Sequence, residues 1–206
     1  MPIKTDREYR DISLPFDAPE SDKRINTDFY VEGYATTFDQ PYVLWEWDGV
    51  KYYEIIDREA LAEADLSDVI MQYDHHGKVL ARNSKPSKSL GFEINAKGFF
   101  IFADLSKSVE ARNLHEEIIN GLVTKMSWAF TVKEEKYNKE TRTRTITKIK
   151  KVYDVSAVSY PANNDTNISA RSFIDGVIET EQQELLERKA RSEAQLRKRL
   201  ILQTYL

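Results

Sequence analysis

The chain contains no cysteine. A disulfide scaffold, a thiolate zinc site and a thiol nucleophile are therefore excluded, and an intracellular setting fits. Histidine is scarce as well: with three in 206 residues, chemistry that needs an imidazole has only His75, His76 and His115 to draw on. No run approaches the ~20 apolar residues needed to span a bilayer. The first residues, Met1-Pro2-Ile3-Lys4-Thr5-Asp6-Arg7, lack the apolar core of a signal peptide, so a soluble protein with no membrane partner is expected. Basic charge is not in excess either. Thirty Lys and Arg stand against 34 Asp and Glu, a net of −4, and the basic residues are scattered among acidic ones, so nucleic acid is not an expected partner.

What is present suits a single globular domain with polar ends. Hydrophobic residues at 41% can bury a core over part of the chain, while 31% charged residues require long polar segments outside it. Residues 1 to 28 hold Pro2, Pro15 and Pro19 among many charges and read as an extended arm rather than a packed element. From Phe29 the pattern turns to strands. Phe29 to Phe38 is rich in aromatic and β-branched residues, and Val43–Trp47 and Lys51–Ile56 flank Asp48-Gly49, a dipeptide suited to a type I′ hairpin. Asp57 reads as the N-cap of a short helix carrying Ala60, Leu61 and Ala64. Further strands are expected over Asp68–His76, Ser89–Ile94 and Phe99–Leu105, the last two joined around Asn95-Ala96-Lys97-Gly98 with Gly98 at positive φ.

A helix over Val109–Asn120 sets Ala111, Leu114, Ile118 and Leu122 on one face and stops at Asn120-Gly121. Strands over Thr124–Val132, from the turn near Asn138-Lys139-Glu140 to Lys151, and over Val152–Tyr160 complete a domain spanning 29 to 171. Residues 172 to 206 are dense in Glu, Arg, Lys, Gln and Ala, with Leu185, Leu186, Leu196 and Leu200 interspersed, the pattern of a charged amphipathic helix. The fold class expected is a β-rich α+β.

Candidate chemistry is sparse enough to enumerate. His75 and His76 end an expected strand before Gly77; neighbouring strand residues face opposite ways, and parity alone leaves open which one faces a pocket. His115, at the edge of a helical apolar face, reads as a structural histidine. In Thr124–Val132 the residues Met126, Trp128, Phe130 and Val132 form the core face, so Ser127 projects the other way beside small neighbours, as an accessible nucleophile or an ordinary surface serine. Asp154 lies within Val152-Tyr153-Asp154-Val155-Ser156-Ala157-Val158. A carboxylate there needs a partner, either an imidazole or Arg142 or Arg144 on the preceding strand. A metal site on Asp74, His75 and His76 is disfavoured because consecutive ligands on a strand diverge and no third ligand stands at a usual spacing. No cofactor and no metal are expected.

Four blocks in order carry a resemblance. Gly33-Tyr34-Ala35-Thr36-Thr37-Phe38, then Tyr73-Asp74-His75 through Val79-Leu80-Ala81-Arg82, then Lys125-Met126-Ser127-Trp128-Ala129-Phe130, and last Val152 through Ala162 resemble the successive segments of the prohead (head-maturation) serine proteases of tailed phages. The resemblance implies an assemblin-like β-barrel with flanking helices, and a Ser–His pair cleaving capsid-precursor and scaffold segments, and the enzyme itself, inside the immature procapsid in the host cytoplasm. Ser127 takes the nucleophile position and His75 that of the base, with His76 as the alternative base. Asp154 stands where the family usually has Glu. Trp128 and Ala129 replace the usual Phe-Gly, and support for an oxyanion is implied near Ala81 and Arg82. The major capsid protein precursor and scaffold segments are the implied partners, with self-association a further expectation, and the tail would dock on their helices. The competing expectation, suggested by that tail, is a non-catalytic capsid scaffold or assembly protein.

Overall fold

The computed structural model describes residues 7–12, 16–18, 23–47 and 49–158, together with scattered positions between 176 and 192. The chain divides into two compact units, residues 1–167 and 168–206. In chain order the first contains β1 (Glu8–Ile12), β2 (Phe16–Asp17), β3 (Tyr30–Thr37), β4 (Tyr42–Trp47), β5 (Val50–Ile56), β6 (Ile70–Tyr73), β7 (His76–Arg82), β8 (Leu90–Ile94) and β9 (Gly98–Asp104). After them come α1 (Val109–Ile119), β10 (Lys125–Asn138) and β11 (Thr143–Val158). The β-rich α+β class is borne out.

The spine is the long β10–β11 hairpin. Two separate strands were expected between Asn138 and Tyr160; the chain instead runs as one 16-residue strand through Lys151-Val152. Register shifts near Ala129–Glu135 let so long a pair twist without losing its pairing. One edge of β11 is bonded to β10, and the other is shared: Thr143–Ile146 pairs in parallel with β5, while Asp154 and Ala157 pair in parallel with β6. The sheet therefore forks, with β4 beyond β5, β7 beyond β6 and β1 on the outer edge of β10. A second sheet has the order β2-β3-β9-β8. Among the described residues neither sheet closes into the expected barrel, because the fork spends both edges of β11 on open branches.

The core lies between the sheets and under α1. Val31, Phe99 and Ile101 of the second sheet and Met126, Trp128, Phe130 and Val155 of the first belong to one buried cluster, to which α1 adds Ala111, Leu114 and Ile118. Phe99 and Trp128 meet across it with ring centroids 6.0 Å apart. The helix starts where the Ser108 side chain accepts from the Ala111 N–H. It ends in a Schellman motif: Gly121, at φ 70, donates to the Ile118 carbonyl and Leu122 to that of Glu117. That reversal carries Leu122 out of the apolar stripe, leaving it 71% exposed rather than in the core.

Other local expectations change as well. Residues 58–63 form successive turns in place of a helix, with i+3 bonds from Ala60 to Asp57 and from Ala62 to Glu59, although Ala60 and Leu61 are buried as expected. Gly98 is needed for close approach, not for positive φ: a Cβ there would lie 2.0 Å from the Thr36 carbonyl oxygen. The largest departure is at the N-terminus. Residues 8–12, expected in an unpacked arm, form the edge strand β1, with Glu8 and Arg10 buried.

In the second unit the described positions between 176 and 192 are helical, with an i,i+4 pair between Arg191 and Glu187 and Leu186 65% exposed. Leu185, Leu196 and Leu200 lie outside the described residues, as do Tyr160 and Pro161. No helix among the described residues is long and apolar enough to cross a membrane.

Candidate active site

The expected strand over Asp68–His76 is a tight hairpin in which β6 turns into β7 through two residues. Tyr73 pairs with His76, and the loop residues Asp74 and His75 both adopt positive φ, 47° and 60°. Positive φ at both central positions marks a type I′ turn, which matches the twist of the flanking strands. Asp is a common first residue of such turns, but a histidine at the second costs about 1–3 kcal/mol of backbone strain. The Asp74 N–H ties the turn to β11 by donating to the Ala157 carbonyl at 3.0 Å. The turn also sends the two histidines different ways. His76 is exposed and lines a groove of about 430 Å³ with Tyr73, Leu80 and Leu114, whereas His75 hangs over the face of the β10–β11 pair.

On that face the register brings together residues far apart in the chain. Ser127 of β10 lies opposite Ser156 of β11, and Ala129 opposite Asp154. Directly paired residues share a face, so Ser127, Ala129, Asp154 and Ser156 form one small patch. The His75 imidazole bridges it. Its Nε2 lies 2.6 Å from Ser127 Oγ, and its Nδ1 lies 2.5 Å from Asp154 Oδ1. The Ser156 hydroxyl donates to the same Asp154 oxygen at 2.8 Å. A carboxylate shorter by one methylene than the usual Glu thus still reaches the ring. Of the two arginines offered as alternative partners, Arg144 turns instead to Glu8, Glu54 and Glu135, and Arg142 is exposed in the turn between β10 and β11.

One expectation about this region needs correction. Ser127 is not on an accessible face; it is wholly buried, because β1 flanks β10 there and both faces of the strand are covered. The Arg82 guanidinium, offered as oxyanion support, forks onto Asp68, and its backbone N–H donates to Ser89 Oγ. Ala81 is held in the hairpin opposite Met71. The row Ala129–Asp154–Ile70–Arg82 puts three strand spacings, roughly 14 Å, between Arg82 and the serine strand. His115 meets the structural expectation: it is buried edge-on against Phe29, and burial lowers its pKa.

Two participants escaped the sequence reading. Ser156 sits two residues after Asp154 on the same strand face, a period-2 signal that could have exposed it. Tyr9, whose ring meets the His75 ring edge-on at 4.7 Å, had no such signal, because its segment was read as an unpacked arm.

The family model described as the caudovirus prohead serine protease matches residues 15–179 of the chain. The chain belongs to that family. No curated protein and no solved structure matches it. The family match takes in His75, Ser127, Asp154 and Ser156 and begins after β1. A chain of the caudovirus prohead serine protease family accordingly carries, in its matched stretch, a serine hydroxyl, an imidazole and a carboxylate in hydrogen-bonded series.

Proposed function

We propose that this chain is a serine endopeptidase that cleaves capsid-precursor and scaffold segments, and itself, inside the immature procapsid in the host cell, with Ser127 as nucleophile, His75 as base and Asp154 as the acid behind it. One observation carries the reading: a single imidazole is bonded through one nitrogen to a hydroxyl and through the other to a buried carboxylate. With its proton on Nδ1, facing Asp154, the ring leaves the Nε2 lone pair to accept from Ser127.

The reaction follows from that arrangement. As Ser127 Oγ bonds to the substrate carbonyl carbon, its proton passes to Nε2, and Asp154 stabilises the imidazolium. The tetrahedral adduct collapses, the C–N bond breaks, and Nε2 returns the proton to the leaving amine. Water then attacks the acyl ester, giving its proton to Nε2, and Ser127 leaves with that proton. Ser156 keeps Asp154 oriented throughout. Because Ser127 has no exposed surface, a movement that uncovers Oγ must precede attack. The helical tail, with its exposed Leu186, would hold the enzyme on scaffold or capsid helices before the shell closes.

The test is to co-express wild type or Ser127→Ala with the cognate capsid precursor and analyse the products by mass spectrometry. Wild type should cut the precursor, and the variant should lose activity by roughly 10⁶-fold. Processing by Ser127→Ala would rule out the nucleophile assignment. A precursor left whole by both proteins would favour a non-catalytic assembly role.

A further inference from the structure

The two hydrogen bonds of His75 leave one freedom open. Bonds at Nδ1 and Nε2 define a line through the imidazole, and a ring held only on a line can still tilt about it. The side chain also hangs from the tip of a two-residue turn, with no strand neighbour to brace it. The contact that lies off this line is Tyr9, whose ring meets the imidazole at 4.7 Å and 73°. That is a favoured edge-to-face geometry for aromatic pairs. In the register Tyr9 faces Ala129, which in turn faces Asp154. Tyr9 and Asp154 thus stand two strand spacings apart, roughly 10 Å, with the small Ala129 between them and the imidazole seated above it.

We infer that Tyr9 is a positioning residue for the base, and that the buried ion cluster on the other face of β1 is the lock that sets the strand in the register that delivers it. The inference rests on the proposed Ser127–His75 chemistry. β1 is five residues long and lies at the end of its sheet. Register is strongly specified where one face is buried, and Glu8 and Arg10 are buried on that face. Arg10 donates to Glu54 of β5 at 2.5 and 2.8 Å, and Glu8 receives both terminal nitrogens of Arg144 of β11 at 2.6 and 2.8 Å. Arg144 also bonds to Glu54 and to Glu135 of β10, and Tyr42 of β4 donates to Glu54.

A slip of one residue would put Tyr9 among these charges and Arg10 on the His75 face, leaving buried charges without partners. The observed register satisfies both faces at once, and a one-residue slip satisfies neither. Since the family match begins at residue 15, this support comes from outside the matched stretch.

The experiment uses the full chain and a fluorophosphonate probe, which reports activation of Ser127 without a known cleavage site. Limiting rate and half-saturating concentration are measured from pH 5 to pH 9 for wild type, Tyr9→Phe, Tyr9→Leu and Tyr9→Thr, each normalised to folded protein by its unfolding midpoint. Tyr9 is half-buried on an edge strand, and Leu and Thr offer two replacements of different shape should one disturb the fold. The limiting rate should fall on the order of 10- to 100-fold in Tyr9→Leu and Tyr9→Thr, with little change in half-saturation, and Tyr9→Phe should stay close to wild type. Wild-type limiting rates in the Leu and Thr variants, with only a lowered midpoint, would make Tyr9 a packing residue and overturn the inference. Labelling of a Ser127→Ala control would instead overturn the underlying reading of the site.

Discussion

Two buried polar clusters lie on opposite faces of the same strands. The first joins Ser127, His75, Asp154 and Ser156; the second joins Glu8, Arg10, Glu54, Arg144 and Glu135. The second is far more charged, yet the proposed chemistry lies in the first. Burial by itself would raise the Glu8 carboxyl, but hydrogen bonding from Arg144 and the charges of Arg10 and Arg144 hold it down at about 2. Burial opposes the charge of Glu54 too, and Arg10 above all keeps that carboxyl below its ordinary range. Burial also works against the Arg10 guanidinium, and Glu54 more than offsets it, raising its pKa well above the usual value. Every charge there has a fixed opposite, so no proton has anywhere to go. In the first cluster the imidazole is 15% exposed and sits between a hydroxyl and a carboxylate, the arrangement that the proposed reaction uses. Buried charge in fixed pairs suits a structural lock, and the proposed chemistry falls where a single imidazole bridges a hydroxyl and a carboxylate.

Removing one member of the charged cluster should produce the larger stability effect. Arg144→Met leaves Glu8, Glu54 and Glu135 without their shared counter-ion and should cost about 3–5 kcal/mol in urea unfolding. A loss below about 1 kcal/mol would mean that the cluster is not the lock described.

Acid comes next in size. The folded-state pKa of Glu8, about 2, lies below its ordinary 4.5. Its contribution is therefore complete above pH 4.5 and is lost as pH falls toward 2, because the unfolded chain binds the proton first. The thermal midpoint of wild type should drop through that window, and Glu8→Gln should flatten the drop. An equally steep profile in the variant would move the acid sensitivity elsewhere.

The smallest effect should be at Ser156. Ser156→Ala removes one donor to Asp154 and should slow fluorophosphonate labelling about tenfold, equivalent to roughly 1.4 kcal/mol. Labelling at the wild-type rate would reduce Ser156 to packing.

Much of the fold was legible because it is local. The hairpin turning at Gly49, the β8–β9 pair and α1 each follow from residues a few positions apart, and each is present. Of the site, Ser127, His75 and Asp154 were legible through the resemblance; physical pattern alone left His76 and Arg144 as rivals. The turn at Asp74-His75 separates the two histidines, since positive φ at both residues sends one over the sheet and the other to solvent. Arg144 is drawn to Glu8 of β1, a segment whose proline-rich, charged surroundings disguised a strand.

Residue order alone indicated most of the strands and α1, and which residue types stand ready for chemistry, because those features depend on periodicity and capping over a few neighbours; β1, the turns over 58–63 and the unbroken length of β11 were left to tertiary packing. Which of these residues meet is decided by strand register. The bonds that matter join residues 52, 79 and 136 positions apart. A one-residue shift in any of the strands involved would leave the local pattern almost as good while turning its side chains to the wrong face. Only the packed sheets, with β1 locked at their edge, choose among such registers.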